Sequence, residues 1–285
     1  MSAPPGVDCG SGTRGGAAQL YVVRCIEYGQ RTFLSVMDIV DEIVKAETLF
    51  PQSFADMIER PWGLLFLTPT IRDSHDGNHA CILGQDAIVP GAVRETVSFY
   101  RARGLQPRVN YVSAAGDRPT LRNELARAGF SSTVGAANHF FVFKGPCSIV
   151  PSACHWVRQV RSVDEKLLEA FTSVRNQRMA KVLQRRLLSP TAWLFVAEAD
   201  DVPVSVALLE QAGAICRVDE VNTAVRARGK GYARAVIYAL VQYYERHIQL
   251  PLYLYTDNPI AERIYVEAGF VRLNRPITTW SAWHE

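Results

Sequence analysis

Apolar residues recur with a helical period at Ala233, Val236, Ile237, Leu240, Val241 and Tyr244, which predicts an amphipathic helix over Tyr232 to Arg246. Before it, short apolar runs predict strands at Trp193 to Ala199, Val204 to Gln211 and Ala214 to Thr223. The turns Asp200-Asp201-Val202-Pro203 and Ala212-Gly213 separate them. Such short connections join antiparallel neighbours, so the three strands read as a meander. Leu252 to Thr256 is a further strand. The order 214–223, 232–246, 252–256 then makes a strand-helix-strand crossover whose two strands lie parallel. Pro259 to Ala268 reads as a helix, with Asn258 at the N-cap, proline in the first turn and Gly269 as the stop. Glu165 to Arg186 carries Leu167, Leu168, Phe171, Val174, Met179, Val182 and Leu183 at helical spacing and reads as one helix. Phe270 to Trp283 holds a closing strand or two.

An offset of 140 residues relates the two halves. It brings Ala128-Gly129-Phe130 onto Ala268-Gly269-Phe270, Pro119 onto Pro259, Gly91 onto Gly231 and Arg94 onto Arg234. It also superposes the helical stretch Ala92 to Arg103 on Tyr232 to Tyr243. A constant offset with matching helix and strand pattern indicates a duplicated unit. The segment Gly145 to Ser152, rich in Pro, Ser and Gly, reads as a linker, and the Gly-, Ser- and Pro-rich stretch 1–17 as a disordered leader. The expected organisation is therefore leader 1–17, first domain 18–145, linker 146–152 and second domain 153–285. Each domain is a mixed α/β unit around a mostly antiparallel sheet.

Composition narrows the function classes. With 285 residues, 48% hydrophobic and 21% charged, the chain has enough apolar surface for two cores and is not a disordered polymer. A net charge of +3 gives no global attraction to nucleic acid or an anionic membrane, so any anion site must be local. No apolar run approaches bilayer length and no secretion signal is apparent, which makes the cytoplasm the expected compartment. The six cysteines, Cys9, Cys25, Cys81, Cys147, Cys154 and Cys216, form no C-x-x-C pair and read as reduced thiols.

The segment from Glu220 to Ala233 carries the chemistry. It joins a strand to a helix, and Gly229 and Gly231 allow a tight turn with close approach of the backbone to a ligand. Free N–H groups at the start of the helix attract an anion, and Arg226, Arg228 and Lys230 add positive charge. These features describe a pyrophosphate cradle. The dinucleotide spacing G-x-G-x-x-G is absent because position 234 is Arg, and the Walker pattern is absent as well.

Meander, R-x-x-G-x-G, amphipathic helix, short strand and then N-x-x-A-x-x-x-Y-x-x-x-G-F resembles the GNAT acetyltransferase superfamily over about residues 155–285. The second motif reads Asn258, Ala261, Tyr265, Gly269 and Phe270. The first half resembles a degenerate copy. Asp86 stands where the second half has Arg226, Val89 stands for Gly229 and Leu125 for Tyr265, so no coenzyme is expected there. The resemblance implies acetyl-CoA as cosubstrate, lying between strands 214–223 and 252–256. Its pantetheine arm would pair with the backbone around Val221 and Thr223, and its pyrophosphate would rest on the N–H groups of Arg228, Gly229, Lys230, Gly231, Tyr232 and Ala233. Tyr265 would give a proton to the departing thiolate. Asn258 either bonds the pantetheine arm or only caps its helix.

An amine acceptor also needs a base, since an amine of pKa about 10.4 is mostly protonated near neutral pH. Glu220 is the candidate; strand alternation points Asp219 to the opposite face. The His- and Asp-rich run Asp73 to His79 reads as a structural turn in preference to a metal site, and no metal is expected. Trp280, Trp283 and His284 read as strand packing in preference to an acceptor pocket. The expected activity is acetylation of a small-molecule amine. The alternatives are a non-catalytic binder of acyl-CoA or a metabolite, and a protein or peptide N-acetyltransferase.

Overall fold

The computed structural model describes residues 36–134, 139–152, 155–174 and 177–285. The expected leader, Cys9, Cys25 and Cys154 lie outside them. The first half runs α1 (Val36–Leu49), β1 (Asp56–Arg60), β2 (Gly63–Leu67), β3 (Ala80–Ile82), α2 (Val89–Arg101), β4 (Arg108–Ser113), α3 (Pro119–Arg127), β5 (Phe130–Val134) and β6 (His139–Phe143). The second runs β7 (Val157–Val160), α4 (Glu165–Val174), α5 (Gln177–Arg186), β8 (Ala192–Ala199), β9 (Val202–Ala212), β10 (Ile215–Thr223), α6 (Tyr232–His247), β11 (Leu252–Thr256), α7 (Pro259–Glu267), β12 (Phe270–Arg272) and β13 (Thr278–His284). No helix among the described residues is long and apolar enough to cross a membrane.

The fold is a mixed α/β arrangement of two sheets. One has the strand order β1-β2-β3-β4-β13-β5 and the other β12-β6-β11-β10-β9-β8-β7. The meander β8-β9-β10 is antiparallel, and β10 pairs with β11 in parallel across the α6 crossover, as the pattern predicts. The first sheet repeats this plan, with β3 parallel to β4 across α2. The stretch expected as one helix from 165 to 186 is instead two helices, α4 and α5.

The closing strands of the two halves are exchanged. β6 lies between β11 and β12 in the second sheet, and β13 lies between β4 and β5 in the first. β6 is buried on both faces, which suits its unbroken apolar run Phe140 to Phe143, whereas β13 alternates and buries only Trp280 and Ala282. In β6, Phe141 and Phe143 pack with Val236, Leu240 and Tyr265 beneath α6 and α7, while Phe140 and Val142 face Ile39, Val40 and Ile43 of α1. In β13, Trp280 and Ala282 enter the core formed by α2 and α3, and Trp280 stacks on Tyr111 at 5.0 Å.

Local signals set the ends of α7. The Asn258 side chain accepts a hydrogen bond from the Ile260 N–H at 2.9 Å. At the other end Gly269 adopts φ +94°, and a Cβ there would lie 2.9 Å from Gly145 Cα. Only glycine fits that junction, which docks the end of α7 against the residues after β6.

Candidate functional site

β10 and β11 stay paired only at Cys216↔Leu252 and Arg217↔Tyr253. Beyond that point β11 remains with β6, while β10 remains with β9 and bulges between Asp219 and Asn222. The two strands therefore splay, and a cavity of about 630 Å³ opens between them. Val221, Asn222, Asn258 and Tyr265 line it from the second half, and Phe50, Phe54, Ser74, His75 and Asp76 from the first.

The loop 224–231 leads to the head of α6. A short 3-10 turn holds Val225 to Ala227, with Arg226 exposed on it. Gly229 has φ +75° with open space around its Cα, and Gly231 has φ +88°. Among the described residues the N–H groups of Gly229, Lys230 and Gly231 are given to no carbonyl, and those of Tyr232 and Ala233 belong to the first helical turn. Arg228 Nε donates to the Thr223 carbonyl at 3.2 Å, which folds the loop back on β10. The His155 ring packs tilted against Tyr232, with ring centroids 4.4 Å apart. Thr223 also exchanges a hydrogen bond with Ser205 at 2.8 Å. These unspent amides and flanking cations suit a diphosphate. In the first half, α2 already begins at Val89 and carries Gly91 within it, so a helix occupies the place of this loop.

Tyr265 is buried at 6% exposure and packs edge-on to Phe270. Burial, with the Asp219 charge adding to it, raises the phenol pKa above its ordinary value. Glu220 lines the same cavity at φ +52°, a left-handed conformation costing a non-glycine residue about 1 kcal/mol or more.

One expectation is overturned at this point. Strand alternation puts Asp219 on the face away from Glu220, yet both line the cavity and both reach Arg186 Nη1, at 2.8 and 3.7 Å. The bulge spends one residue out of register and cancels the alternation.

Sequence reasoning also missed a buried ionic network behind the cavity. Arg186, 0% exposed, pairs with Glu210 at 2.6 Å as well as with Asp219. Arg217 pairs with Glu47 and with Asp219, each at 3.4 Å, and its guanidinium lies 3.8 Å from the Phe50 ring centre. Burial opposes ionisation of Asp219, but Arg217 and Arg186 outweigh it and hold the carboxyl at about 2. Burial raises Glu47 despite Arg217 beside it. The available signal was charge inside the otherwise apolar strand Ile215 to Val221.

The run Asp73 to His79 is a turn, as expected, and it also faces the cavity. Asn78 ties it down by accepting from the Thr68 N–H at 2.8 Å and donating to the Ile71 and Ser74 carbonyls. Among the described residues no group of three or more His, Cys, Asp or Glu side chains is placed to hold a metal ion. Burial, partly opposed by the Asp76 charge, lowers His79 from 6.5 to about 4. As pH falls, the unfolded chain therefore takes up this proton first. The contribution to stability is complete above about 6.5 and is lost progressively down to about 4. The expected loss is about 3 kcal/mol at 1.36 kcal/mol per pKa unit. Urea midpoints from pH 7 to 4 measure it, and the slope should flatten in His79→Gln.

Comparison with known proteins follows this geometry. The family described as acetyltransferase (GNAT) domain matches residues 159–279. A solved GCN5-related N-acetyltransferase from Kribbella flavida is similar at 18% identity, with 86% of this chain and 95% of that chain covered and a TM-score of 0.62. A tandem GNAT protein from the clavulanic acid biosynthesis pathway is similar at 11% identity, 88% and 97% coverage and a TM-score of 0.52. A GCN5-related N-acetyltransferase-like protein from Streptococcus suis gives 12%, 87% and 98%, and 0.51. At these identities the likeness is one of fold. No curated protein matches the chain.

Proposed function

Because the family described as acetyltransferase (GNAT) domain matches residues 159–279, we propose that the protein transfers an acetyl group from acetyl-CoA to the primary amine of a small molecule. The observation carrying this reading is the splay of β10 from β11, with unspent amides at one end and Tyr265 inside it. Acetyl-CoA supplies the activated thioester. The amides from Gly229 to Ala233, with Arg226 and Lys230 beside them, hold its diphosphate; the Arg228 N–H, expected among them, is spent on the Val225 carbonyl at 3.2 Å. The β10 backbone at Val221 and Thr223 receives the pantetheine arm as an added strand, and Asn258 stands at the far wall as well as capping α7.

Glu220 removes a proton from the acceptor ammonium, leaving the nitrogen lone pair free to attack the thioester carbon. Backbone N–H groups around the β10 bulge stabilise the developing oxyanion. A C–N bond forms, the C–S bond breaks, Tyr265 gives its proton to the sulfur, and the second proton shed by the nitrogen returns to the tyrosine through solvent. A phenol held above its ordinary pKa stays protonated for that step.

The acceptor side supports a small molecule. Phe50, Phe54, Ser74, His75 and Asp76 wall the cleft where a peptide would need an open groove. Thiol release from acetyl-CoA with a panel of amines tests the transfer. Calorimetric titration with CoA tests the cradle separately. Gly229→Glu places a carboxylate against the diphosphate and should weaken CoA binding tenfold or more. Gly91→Glu, exposed on α2 two residues after Val89, the first-half equivalent of Gly229, should leave it unchanged. Equal effects of the two changes would remove the assigned cradle.

A further inference from the structure

Arg186 is the last residue of α5 and is 0% exposed, yet its guanidinium reaches three carboxylates on two strands. Nε and Nη2 both donate to Glu210 Oε2 on β9, at 3.1 and 2.6 Å. Nη1 donates to Asp219 on β10 at 2.8 Å and stands 3.7 Å from Glu220 Oε1. Helix α5 is itself seated by the first half. Val182, one turn before Arg186, packs with Phe54, Ala55 and Phe66, and Arg185 pairs with Asp56 at 2.6 Å.

The bulge in β10 gives this arginine its task. Glu210 and Arg217 are register partners, and Asp219, two residues on, shares their face of the sheet. Glu220 should face the other way. Instead it sits at φ +52°, with its carboxylate on the Arg186 side. A left-handed backbone is unfavourable for a residue with a Cβ, and neighbouring carboxylates repel each other. Such strain persists only where the surroundings enforce it. A cation touching both carboxylates opposes the two penalties together, and Glu210 fixes that cation from behind. At the other oxygen of Glu220, Asn222 Nδ2 lies 3.5 Å from Oε2.

We propose that Arg186 is a positioning residue for the transfer: clamped by Glu210, it holds the Glu220 carboxylate at the cleft and favours the charged form that removes the acceptor's proton. The proposal rests on Glu220 as the base and adds what keeps that base in place. It also gives the first half a part in the chemistry, because Phe54, Phe66 and Asp56, which seat α5, belong to it. Other titratable groups face the same space: His75 and Asp76 from the turn before β3, Asp257 after β11, and Tyr265 on α7. Arg217 is paired with Asp219 and with Glu47 of α1, each at 3.4 Å. All of these remain when Arg186 alone is changed, so a shift at Glu220 reports on Arg186.

The test uses the full chain with carbon-13 at the glutamate carboxyl carbons. The Glu220 signal is identified by its loss in Glu220→Gln, and its titration is followed by NMR with no acceptor present. Arg186→Gln should raise the Glu220 midpoint by about one pH unit or more, the usual effect of losing an arginine neighbour. Calorimetric binding of CoA checks the fold. Where the single variant fails that check, Arg186→Gln combined with Glu210→Gln removes the cation together with the carboxylate that would be left buried alone. That pair should move the midpoint in the same direction. Arg186→Lys keeps the charge and should leave the midpoint nearer the wild-type value than Arg186→Gln does. In thiol release from acetyl-CoA with the amine panel, kcat/KM of Arg186→Gln should fall tenfold or more on the acid side and recover as pH passes the new midpoint. A merely structural role would lower the rate equally at every pH and leave the midpoint where it was, and that result overturns the proposal. Failure of the transfer reading is distinct: coenzyme binds and no amine releases thiol. The titration then still decides whether Arg186 governs Glu220, and an unmoved midpoint overturns it.

Discussion

Replacing Tyr265 by phenylalanine is expected to lower kcat about 10²-fold or more, the usual size of a lost general acid, with the affinity for CoA unchanged. The ring sits in the core between α7 and Phe270, and phenylalanine keeps that packing. Only the hydroxyl is lost, at a place where it lines the cleft. A structural role predicts a different pattern: reduced thermal stability and weaker coenzyme binding, with the chemical step intact. Single-turnover rates with saturating acetyl-CoA separate the two. The wild-type phenol should not limit the rate by ionising near neutral pH, because burial and the Asp219 charge raise its pKa above the ordinary value. A rate that is unchanged in Tyr265→Phe removes the tyrosine from the mechanism.

Much of the second half was legible in the sequence because its signals are local. The spacing of Val236, Ile237, Leu240 and Val241 fixes the buried face of α6, and Asn258, Pro259 and Gly269 mark the ends of α7. The offset of 140 residues also survives in three dimensions. α3 (Pro119–Arg127) maps onto α7 (Pro259–Glu267), and Gly129 and Gly269 share a positive φ. What was illegible depends on distant partners. The same offset places β6 on β13, so the repeat reads identically whether each strand closes its own sheet or the other one. The bulge at Glu220 involves no glycine to announce it, and strand alternation therefore misplaces Asp219. Arg186 ends an amphipathic helix in the manner of a solvated basic residue, yet Glu210 and Asp219 from other strands draw it wholly into the interior. The turn from Asp73 to His79 was recognisable from its Asp, Gly and Asn residues. That it faces a cleft built on residues about 140 positions later follows only from the packing of the two sheets.

The strand exchange leads to the second large expected effect. Ending the chain before Thr278 removes β13, a strand near the C-terminus, and should unfold the N-terminal sheet. β13 is hydrogen-bonded along its length to β4 on one side and β5 on the other. Without it those strands lose their common neighbour, and β5 loses its place in the sheet. Trp280 and Ala282 also leave the core beneath α2 and α3. Removal of a buried tryptophan side chain alone costs about 3–5 kcal/mol, against a total stability of about 5–15 kcal/mol for a typical domain. The unpaired edges of β4 and β5 would then invite aggregation. Circular dichroism and limited proteolysis should find the region from α2 to β5 unprotected in the truncated protein. Adding back a peptide of residues 278–285 should restore some protection, since the vacancy is one strand wide. A truncated protein whose first half melts cooperatively at the original temperature would mean that β13 is dispensable to that sheet. The opposite cut, between β6 and β7 at the expected linker, should leave neither half stable alone, because each would lack the strand that the other half supplies.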